Sequence, residues 1–164
     1  MTPLTCDLYD AHPTTAQVCE TPLRDFGARV RFHGAIVTVA CFEDNSKLKE
    51  LSLTPGEGRV IVIDGGGSRS CALLGDIIAA DLVRNGWAGA VIHGCVRDSA
   101  QLLPLDVGIK ALGTVPRAPA KRGQGVVGEV LTFGGVLWRE GDVAFADEDG
   151  VVVLTAQEAA EISG

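Results

Sequence analysis

The chain has 164 residues, of which 46% are hydrophobic, and a formal net charge of −7 at pH 7. This length and apolar content predict a single domain over residues 1–164, because two ordinary domains need a longer chain. The acidic balance argues against unspecific nucleic-acid binding, since no surplus of basic side chains is available to displace phosphate counterions. No apolar run approaches the ~18 residues of a membrane span, and the N-terminus lacks a signal-peptide pattern. We therefore expect a cytoplasmic protein without membrane contact.

The cysteines also indicate the redox compartment in which the protein is expected. There are five of them, widely spaced, and no two form a CxxC pair. This pattern predicts reduced thiols in a cytosolic protein rather than a zinc site or a disulfide framework. We expect them to act mainly as small buried hydrophobic side chains.

The first part of the chain predicts a helix, an extended segment and a second helix. Residues 5–11 have the pattern of a short acidic helix. Residues 28–42 alternate and then become continuously apolar, which predicts a strand pair or one long strand bent at Gly34. The segment EDNSKLKELSLTPGEG then predicts a helix with Asp44 or Asn45 as its cap.

The stretch from Gly65 to Asp98 predicts the strand-helix-strand unit around which the chain is organised. The run RVIVIDGGG is a β-branched strand that breaks on three glycines. Helical spacing of apolar residues predicts a helix from Ala72 to Arg84 with one buried face. Its inward positions are predicted to be Leu74, Ile77, Ile78, Leu82 and Val83. Residues 90–93 form a second buried strand, in which His93 is expected to be packed rather than to bind a ligand.

The two strands of this unit are expected to lie side by side and parallel, so that the turns after them open at the same sheet edge. Asp76 then lies near Arg97 and Asp98. An arginine offers a carboxylate two donors in one plane, and an aspartate offers the hard oxygen that Mg²⁺ or Mn²⁺ prefers. The three side chains suit a small dianionic or keto-acid ligand with a divalent cation. The alternative is a solvated helix face beside an ion pair in a turn.

The last part of the chain predicts a loop followed by antiparallel β structure. A short helix at 98–103 and a strand at 106–112 precede a surface loop at 114–129, which is rich in glycine and proline. Short strands separated by hairpin turns are predicted at 130–133, 136–138, 142–146 and 151–154. A final helix begins at Thr155, with Glu158 completing a capping box. The predicted fold class is mixed α/β, with two β layers and helices outside.

Five strings of residues occur in the order in which a known family carries them. They are FEDN (42–45), VIDGGGSRSCALLGD (62–76), NGWAGAVIHGCVRD (85–98), DVGIKALGTVPR (106–117) and GDVAFADEDGVVVL (141–154). Over nearly all of residues 5–155 the chain resembles the family of the regulator of ribonuclease activity A, the RraA-like family. The resemblance implies a swivelling β/β/α-type domain that assembles as a homotrimer, with pairing of trimers into hexamers left open.

The resemblance implies two competing activities. Members with an Asp, twenty intervening residues and an Arg-Asp pair resemble class II 4-hydroxy-4-methyl-2-oxoglutarate aldolases, which form pyruvate and also decarboxylate oxaloacetate. Members without this motif bind and inhibit ribonuclease E. A menaquinone methyltransferase label also exists in the family, but nothing in this chain resembles a methyl-donor site. This chain has the aldolase motif intact, as Asp76, Arg97 and Asp98.

Carried over position by position, the resemblance implies a role for each residue. Asp98 looks like the ligand of a divalent cation, Mg²⁺ or Mn²⁺, Arg97 like the residue that binds the keto acid, and Asp76 like the one that orients a metal-bound water. Backbone N–H groups at the helix start would face the substrate, where the helix dipole favours an anion. The substrate contacts would then be Gly75, Asp76, Ile77, Ile78 and Arg97. The aldolases resembled here are longer and take a further acidic residue from a neighbouring subunit's C-terminal extension, whereas this chain ends at Gly164.

Two hypotheses follow. The first is a metal-dependent carbon-carbon lyase that acts on a small keto acid. The alternative is a non-catalytic protein that binds ribonuclease E, in which the acidic surface meets a basic partner segment. Asp98 beside Arg97 separates the two, because an inhibitor has no chemical need for a hard metal ligand at that place.

Overall fold

The computed structural model describes residues 2–163. Over this range its helices are α1 (Thr5–Ala11), α2 (Ser46–Ser52), α3 (Asp76–Arg84), α4 (Ser99–Leu102) and α5 (Ala156–Ser163). Its strands are β1 (Gln17–Val18), β2 (Arg24–Asp25), β3 (Phe32–Ala40), β4 (Val60–Asp64), β5 (Ala72–Leu74), β6 (Gly89–Val96), β7 (Gly108–Thr114), β8 (Val126–Val127), β9 (Leu131–Phe133), β10 (Val136–Trp138), β11 (Val143–Asp147) and β12 (Gly150–Leu154). Within residues 2–163, no helix combines the length and the apolarity needed to cross a bilayer.

A ten-stranded mixed sheet forms the centre of the fold. Its strands lie in the order β1-β12-β11-β3-β4-β6-β7-β2, with β5 also paired to β6 and β8 to β3. The strands β3, β4, β6 and β7 run parallel, whereas β11 and β12 are antiparallel to each other. A separate hairpin joins β9 to β10. The predicted mixed α/β sheet, with a central parallel strand-helix-strand unit and antiparallel C-terminal strands, is confirmed.

Both faces of the parallel strands are buried, which explains why they read as continuous apolar runs. In β4, Ile61 and Ile63 point to the face that Leu48 of α2 and Leu82 of α3 cover. Val60 and Val62 point to the opposite face, where Phe133 and Trp138 of the β9–β10 hairpin pack with them. The sheet therefore separates two hydrophobic cores, one on each of its faces.

The helix predicted from Ala72 begins only at Asp76. Residues 72–74 form β5 instead, which pairs in parallel with the end of β6. All three side chains of β5 are buried, and a short, fully apolar run satisfies a strand buried on both faces as well as a helix. Gly75 has extended backbone angles, φ −130° and ψ −163°, and separates the two elements.

The later helix start changes which face of α3 is inward. Ile78 and Leu82 are buried as predicted. Ile77 is 68% exposed and Val83 is 38% exposed, so the prediction that they face the core was wrong. The buried stripe of α3 runs through Ile78, Ala79 and Leu82, and Ile77 is displaced from it by about 100° of helix rotation.

Other predicted elements differ mainly at their ends. The apolar segment at 28–42 is one strand, β3, and the strand predicted at 106–112 is shifted to Gly108–Thr114. The loop at 114–129 contains the two-residue strand β8. The capping box at α5 is confirmed, because Thr155 N–H donates to Glu158 Oε2 at 2.9 Å and Glu158 N–H donates to Thr155 Oγ1 at 3.2 Å.

All five cysteines carry free thiols, as predicted. Cys41, Cys71 and Cys95 are buried, whereas Cys6 is exposed and departs from the expectation of burial. Burial raises the pKa of the Cys41 thiol to about 12, and the neighbouring carboxylates add to the effect. This buried thiol therefore stays protonated at neutral pH and behaves as an apolar side chain.

The ring of Phe32 packs against a pair of facing glycines on the sheet. Gly89 of β6 and Gly108 of β7 are partners in the parallel ladder. A Cβ at Gly108 would lie 2.0 Å from Cδ1 of Phe32, and one at Gly89 would lie 2.5 Å from Cδ2. The absence of side chains at both positions lets the ring lie flat on the β6–β7 pair.

Gly108→Ala is expected to lower the free energy of unfolding by about 1–3 kcal/mol, because the new methyl group overpacks the site of the Phe32 ring. Urea denaturation measures the change. Gly94→Ala is the matched control, since its Cβ would come no closer than 3.3 Å to another atom, a side-chain methyl of Leu73, with Ile92 Cγ2 at 3.5 Å. Equal losses in the two variants would contradict this account of the packing.

Candidate active site

A cavity of about 520 Å³ lies at the sheet edge where β5 and β6 end. All six residues singled out in the sequence line it: Gly75, Asp76, Ile77, Ile78, Arg97 and Asp98. The parallel pairing of β5 with β6 brings them together, because Gly75 and Asp76 follow β5 while Arg97 and Asp98 follow β6. Arg97 N–H donates to the Leu74 carbonyl at 3.0 Å and joins the two chain segments directly.

Asp98 has a left-handed backbone conformation, with φ 59° and ψ 40°. Aspartate tolerates this region better than most residues, although the conformation still costs energy. The Asp98 carbonyl accepts hydrogen bonds from the N–H groups of Gln101 and Leu102, both at 2.9 Å, which begin α4. The turn directs the carboxylate back towards α3, where Asp98 Oδ2 accepts the Asp76 N–H at 3.1 Å.

Gly75 allows this contact because it has no side chain. A Cβ at Gly75 would lie 2.6 Å from Asp98 Oδ2 and 3.3 Å from Cγ of Arg97. Its backbone is extended, a conformation open to any residue. The requirement for glycine at this position therefore comes from the close approach of Asp98 and not from backbone strain.

The Arg97 side chain is held loosely in the cavity. Its Nε lies 4.0 Å from Asp98 Oδ2, at the limit of an ion pair, and its side chain is 40% exposed. Its Nη1 donates to the Pro116 carbonyl at 3.5 Å. Over residues 2–163 the guanidinium makes no two-donor contact with a carboxylate, and Arg97 lines the cavity, so its planar donors suit the carboxylate of a ligand.

Several lining residues were missed by reasoning from the sequence. They are Asn45, Ser46 and Lys49 from α2 and the segment before it, and Pro119 and Lys121 from the loop after β7. The sequence shows the basic residues of that loop as a cluster. A glycine-rich loop has no periodicity, however, from which its position on the same cavity as Asp98, more than twenty residues earlier, could be predicted. The FEDN string at 42–45 was the one available signal, and its role was not apparent.

Of the two lysines on the cavity wall, Lys49 is already paired. Its Nζ donates to Asp81 Oδ2 at 2.6 Å, and Arg84 Nη1 donates to Oδ1 of the same carboxylate at 2.7 Å. The hydrogen bond from Lys49 is the largest influence that lowers the pKa of Asp81, against the opposing effect of burial. Within residues 2–163, Lys121 has no carboxylate partner within ion-pair distance.

His93 lies outside the cavity, and its packing agrees with the sequence prediction. Its Nδ1 lies 3.1 Å from Asp64 Oδ1. Its ring stacks on Phe133 with a centroid distance of 4.8 Å. The histidine therefore packs the sheet against the β9–β10 hairpin and does not line the cavity.

The donor set can be tested for its fit to a divalent cation. Within residues 2–163, no three His, Cys, Asp or Glu side chains converge on a common point. Asp98 nevertheless lines the cavity and uses only Oδ2 to accept the Asp76 N–H, and Asp76 adds a second carboxylate to the cavity lining. Proteins commonly hold Mg²⁺ through one or two carboxylates, with water and substrate oxygens completing the shell. The residues fit a cation that the substrate helps to hold and do not fit a site closed by side chains alone.

Comparison with known proteins adds relatives of similar length. A protein of Alkalilimnicola ehrlichii with the provisional name 4-hydroxy-4-methyl-2-oxoglutarate aldolase is 52% identical over 149 residues, which are 91% of this chain and 92% of the relative. A protein of Deinococcus radiodurans with the same provisional name is 52% identical over 153 residues, 93% of this chain and 95% of the relative.

Two solved structures share the fold over almost its whole length. One from Geobacillus kaustophilus, described as an S-adenosylmethionine:2-dimethylmenaquinone methyltransferase, has a TM-score of 0.92 and 45% identity, covering 93% of this chain and 95% of that one. The RNA-processing inhibitor RraA of Thermus thermophilus has a TM-score of 0.90 and 39% identity, covering 94% and 93%.

The names of these relatives describe an aldolase, a methyltransferase and an inhibitor of RNA processing, so a shared fold does not decide between activities. The family assignment itself is clear. The family model described as RraA-like, Aldolase/RraA, matches residues 5–153. Together with relatives that are about half identical over nine-tenths of its length, this match shows that the chain belongs to the RraA-like family.

Proposed function

We propose that this protein is a divalent-metal-dependent lyase that cleaves substrates of the 4-hydroxy-4-methyl-2-oxoglutarate type to pyruvate and decarboxylates oxaloacetate. One observation carries the proposal. The Asp98 carboxylate, the open donors of Arg97 and the first turn of α3 face one cavity. Relatives with the aldolase name support the same chemistry.

Binding comes first in the proposed mechanism. Arg97 holds the carboxylate of the keto acid through its two parallel donors. The first N–H groups of α3 have no partner within the helix, and those of Ile77 and Ile78 add positive potential at the same place. Asp98 is the ligand for Mg²⁺ or Mn²⁺. Such a cation, when bound, stabilises the negative charge that develops on the keto oxygen.

The bond to be broken lies β to the ketone. In the aldol substrate the C4 hydroxyl loses its proton, the C3–C4 bond breaks, and the electron pair passes into the enolate of pyruvate. In oxaloacetate the same bond breaks with loss of CO₂. Arg97 stabilises the growing enolate charge. Asp76 holds a water that accepts the hydroxyl proton and later returns a proton to C3, which completes pyruvate.

An inhibitor of ribonuclease E is the alternative function. The likeness to the structure of the Thermus RraA protein favours it, and an acidic chain with net charge −7 suits a basic partner segment. The lyase is preferred because protein binding does not require an aspartate held in a left-handed turn beside an open arginine. Neither function requires direct contact with nucleic acid or membrane.

A coupled assay for pyruvate release tests the proposal. The wild-type protein is expected to form pyruvate from oxaloacetate and from 4-hydroxy-4-methyl-2-oxoglutarate with Mg²⁺ or Mn²⁺, and to lose this activity with a chelator. Asp98→Ala should resemble the chelated enzyme while its unfolding curve is retained, since the side chain is 34% exposed and lies in a turn. Absence of turnover with every divalent cation tried would favour the inhibitor.

Arg97→Lys separates substrate binding from cation binding in the same assay. It keeps the charge but loses the planar pair of donors, so turnover should fall ten- to a hundredfold, or about 1.5–3 kcal/mol. Cation affinity should change much less. Arg29→Lys is the matched control, since Arg29 pairs with Asp106 outside the cavity. Full activity in Arg97→Lys would remove the arginine from the mechanism.

Gly75→Ala tests the close approach at Asp98. The added Cβ must displace a carboxylate oxygen 2.6 Å away, so turnover is expected to fall at least about tenfold. The free energy of unfolding should change by about 1 kcal/mol or less, because the displaced group is partly solvated. Kinetics and urea denaturation measure the two quantities. Unchanged turnover would show that Asp98 need not lie where the structure places it.

We further propose that the chain assembles as a homotrimer, with pairing into hexamers left open, and that the cavity lies near a subunit boundary. Exposed large apolar side chains support this: Ile77 on the cavity wall is 68% exposed, and Phe42 and Leu103 elsewhere on the surface are 65% and 66% exposed. Light scattering should then give a mass near three chains of 17.1 kDa. A monomer at micromolar concentration would contradict the assembly.

A further inference from the structure

The segment before α2 contains a buried carboxylate that the mechanism does not use. Asp44 is 1% exposed. Its Oδ1 accepts the Ser46 N–H at 2.9 Å, and its Oδ2 accepts the Arg122 N–H at 2.6 Å. The N–H of Gln124 is a further donor to the same carboxylate. Burying a charged carboxylate destabilises the fold unless its oxygens accept hydrogen bonds. Here two of the N–H donors, those of Arg122 and Gln124, belong to the loop after β7.

Further hydrogen bonds join the same two segments. Ala120 N–H donates to the Glu43 carbonyl at 2.9 Å, and Asn45 N–H donates to the Ala120 carbonyl at 3.3 Å. Gly123 N–H donates to Ser46 Oγ at 2.9 Å. The loop is therefore fastened at residues 120, 122, 123 and 124. These attachments, which we call the Asp44 clamp, lie on both sides of Lys121.

The Asp44 clamp is also tied to the opposite wall of the cavity. Asn45 Nδ2 donates to the Leu73 carbonyl at 3.0 Å, in strand β5 and two residues before Gly75. The same short segment thus contacts the loop that carries Lys121 and the strand that leads to Asp76. It fixes how far Lys121 lies from the aspartates across the cavity.

The charge on Asp44 suits a permanent clamp. Burial opposes ionisation, but the hydrogen bonds from Ser46, Arg122 and Gln124 outweigh it and lower the pKa of Asp44 to about 2. Within residues 2–163 no cationic side chain forms an ion pair with it. The carboxylate therefore binds backbone N–H groups throughout the neutral pH range and does not neutralise Lys121.

Among the cations of residues 2–163 that line the cavity, Lys121 is the one that remains available to a ligand. Arg97 takes the carboxylate next to the ketone, and Lys49 is paired with Asp81 at 2.6 Å. Oxaloacetate and 4-hydroxy-4-methyl-2-oxoglutarate each carry a second carboxylate, whereas pyruvate does not. A second cation in the cavity would distinguish these substrates by charge.

We propose that Asp44 is a positioning residue that holds Lys121 in the cavity, and that Lys121 selects dicarboxylic over monocarboxylic keto acids. The inference rests on the proposed lyase function and assigns its substrate selectivity. The selectivity belongs to Lys121, and Asp44 acts through the backbone of the loop. Loosening the clamp should therefore weaken binding of the second carboxylate and leave the chemistry at Asp98 and Arg97 intact.

Two reactions measured with Mg²⁺ separate these effects. One is cleavage of 4-hydroxy-4-methyl-2-oxoglutarate, whose second carboxylate keeps its charge throughout the reaction, and the other is hydrogen-deuterium exchange of the pyruvate methyl group in D₂O, which needs no second carboxylate. Lys121→Met is expected to lower kcat/KM for 4-hydroxy-4-methyl-2-oxoglutarate about tenfold or more, mainly through KM, as expected for loss of one charge-assisted contact. Pyruvate exchange should stay within about twofold of wild type.

Asp44→Asn should give the same signature, since its amide cannot accept every N–H that the carboxylate accepts. The double variant should be no worse than Lys121→Met, because both changes remove one interaction. Ser46→Ala removes the Gly123 contact and the side-chain hydrogen bond of Ser46 to Asp44 but keeps the N–H groups of Arg122 and Gln124 on the carboxylate, so it should give a smaller effect of the same kind. Glu50→Gln is the control, since it removes a charge from an exposed pair with Lys47 on the same helix.

Limited proteolysis follows the loop without reference to turnover. Trypsin cleaves after Lys121 and Arg122, and cleavage there should be much faster in Asp44→Asn than in wild type or Glu50→Gln. Equal loss of both reactions in Asp44→Asn, or no loss in Lys121→Met, would overturn the proposal. Wild-type protein that catalyses neither reaction would instead reject the lyase function and, with it, the selectivity assigned to Lys121.

Discussion

The site depends on the contact between the Asp98 carboxylate and the N–H of Asp76, at 3.1 Å. The contact joins the end of β6 to the start of α3, two places that are 22 residues apart in the chain. It requires the left-handed turn at Asp98 and the missing side chain at Gly75. The carboxylate also lies at the positive end of the α3 dipole, where a negative charge is stabilised.

The parallel sheet makes this contact possible, and it was also the part most readily predicted. Continuous apolar runs in the sequence identified β4 and β6. The rule for strand-helix-strand units then predicted, from the sequence alone, that Asp76 lies near Arg97 and Asp98. The start of α3 was misplaced because Ala72, Leu73 and Leu74 satisfy a buried strand and a helix equally well. The same error led to the prediction that Ile77 faces the core, whereas Ile77 is exposed on the cavity wall.

The opposite wall was not predictable from local patterns. Lys121 reaches the cavity because Asp44, 77 positions earlier, binds the backbone of the next residue, Arg122. Such long-range hydrogen bonds to backbone N–H groups leave no periodic trace in a loop of glycine, proline and basic residues. Family resemblance identified the FEDN string, but only the structure connects its aspartate with the loop.

Relatives of this chain are described as an aldolase and as an inhibitor of RNA processing. The side chains around one cavity offer a reason why proteins of similar sequence can differ in function. The sheet and its two cores do not depend on Asp98 or Arg97, whose side chains are 34% and 40% exposed. These residues can therefore change without loss of the fold. In this chain they are present, and under the proposed function they would supply part of a cation site that a keto acid completes.

Titration of Mn²⁺ followed by electron paramagnetic resonance, with and without oxalate as an analogue of the pyruvate enolate, tests this claim most directly. The account predicts weak binding of Mn²⁺ alone, binding at least about tenfold tighter with oxalate, and loss of both in Asp98→Ala. Mn²⁺ that binds equally tightly without oxalate, or that still binds the Asp98→Ala variant with unchanged affinity, would contradict it.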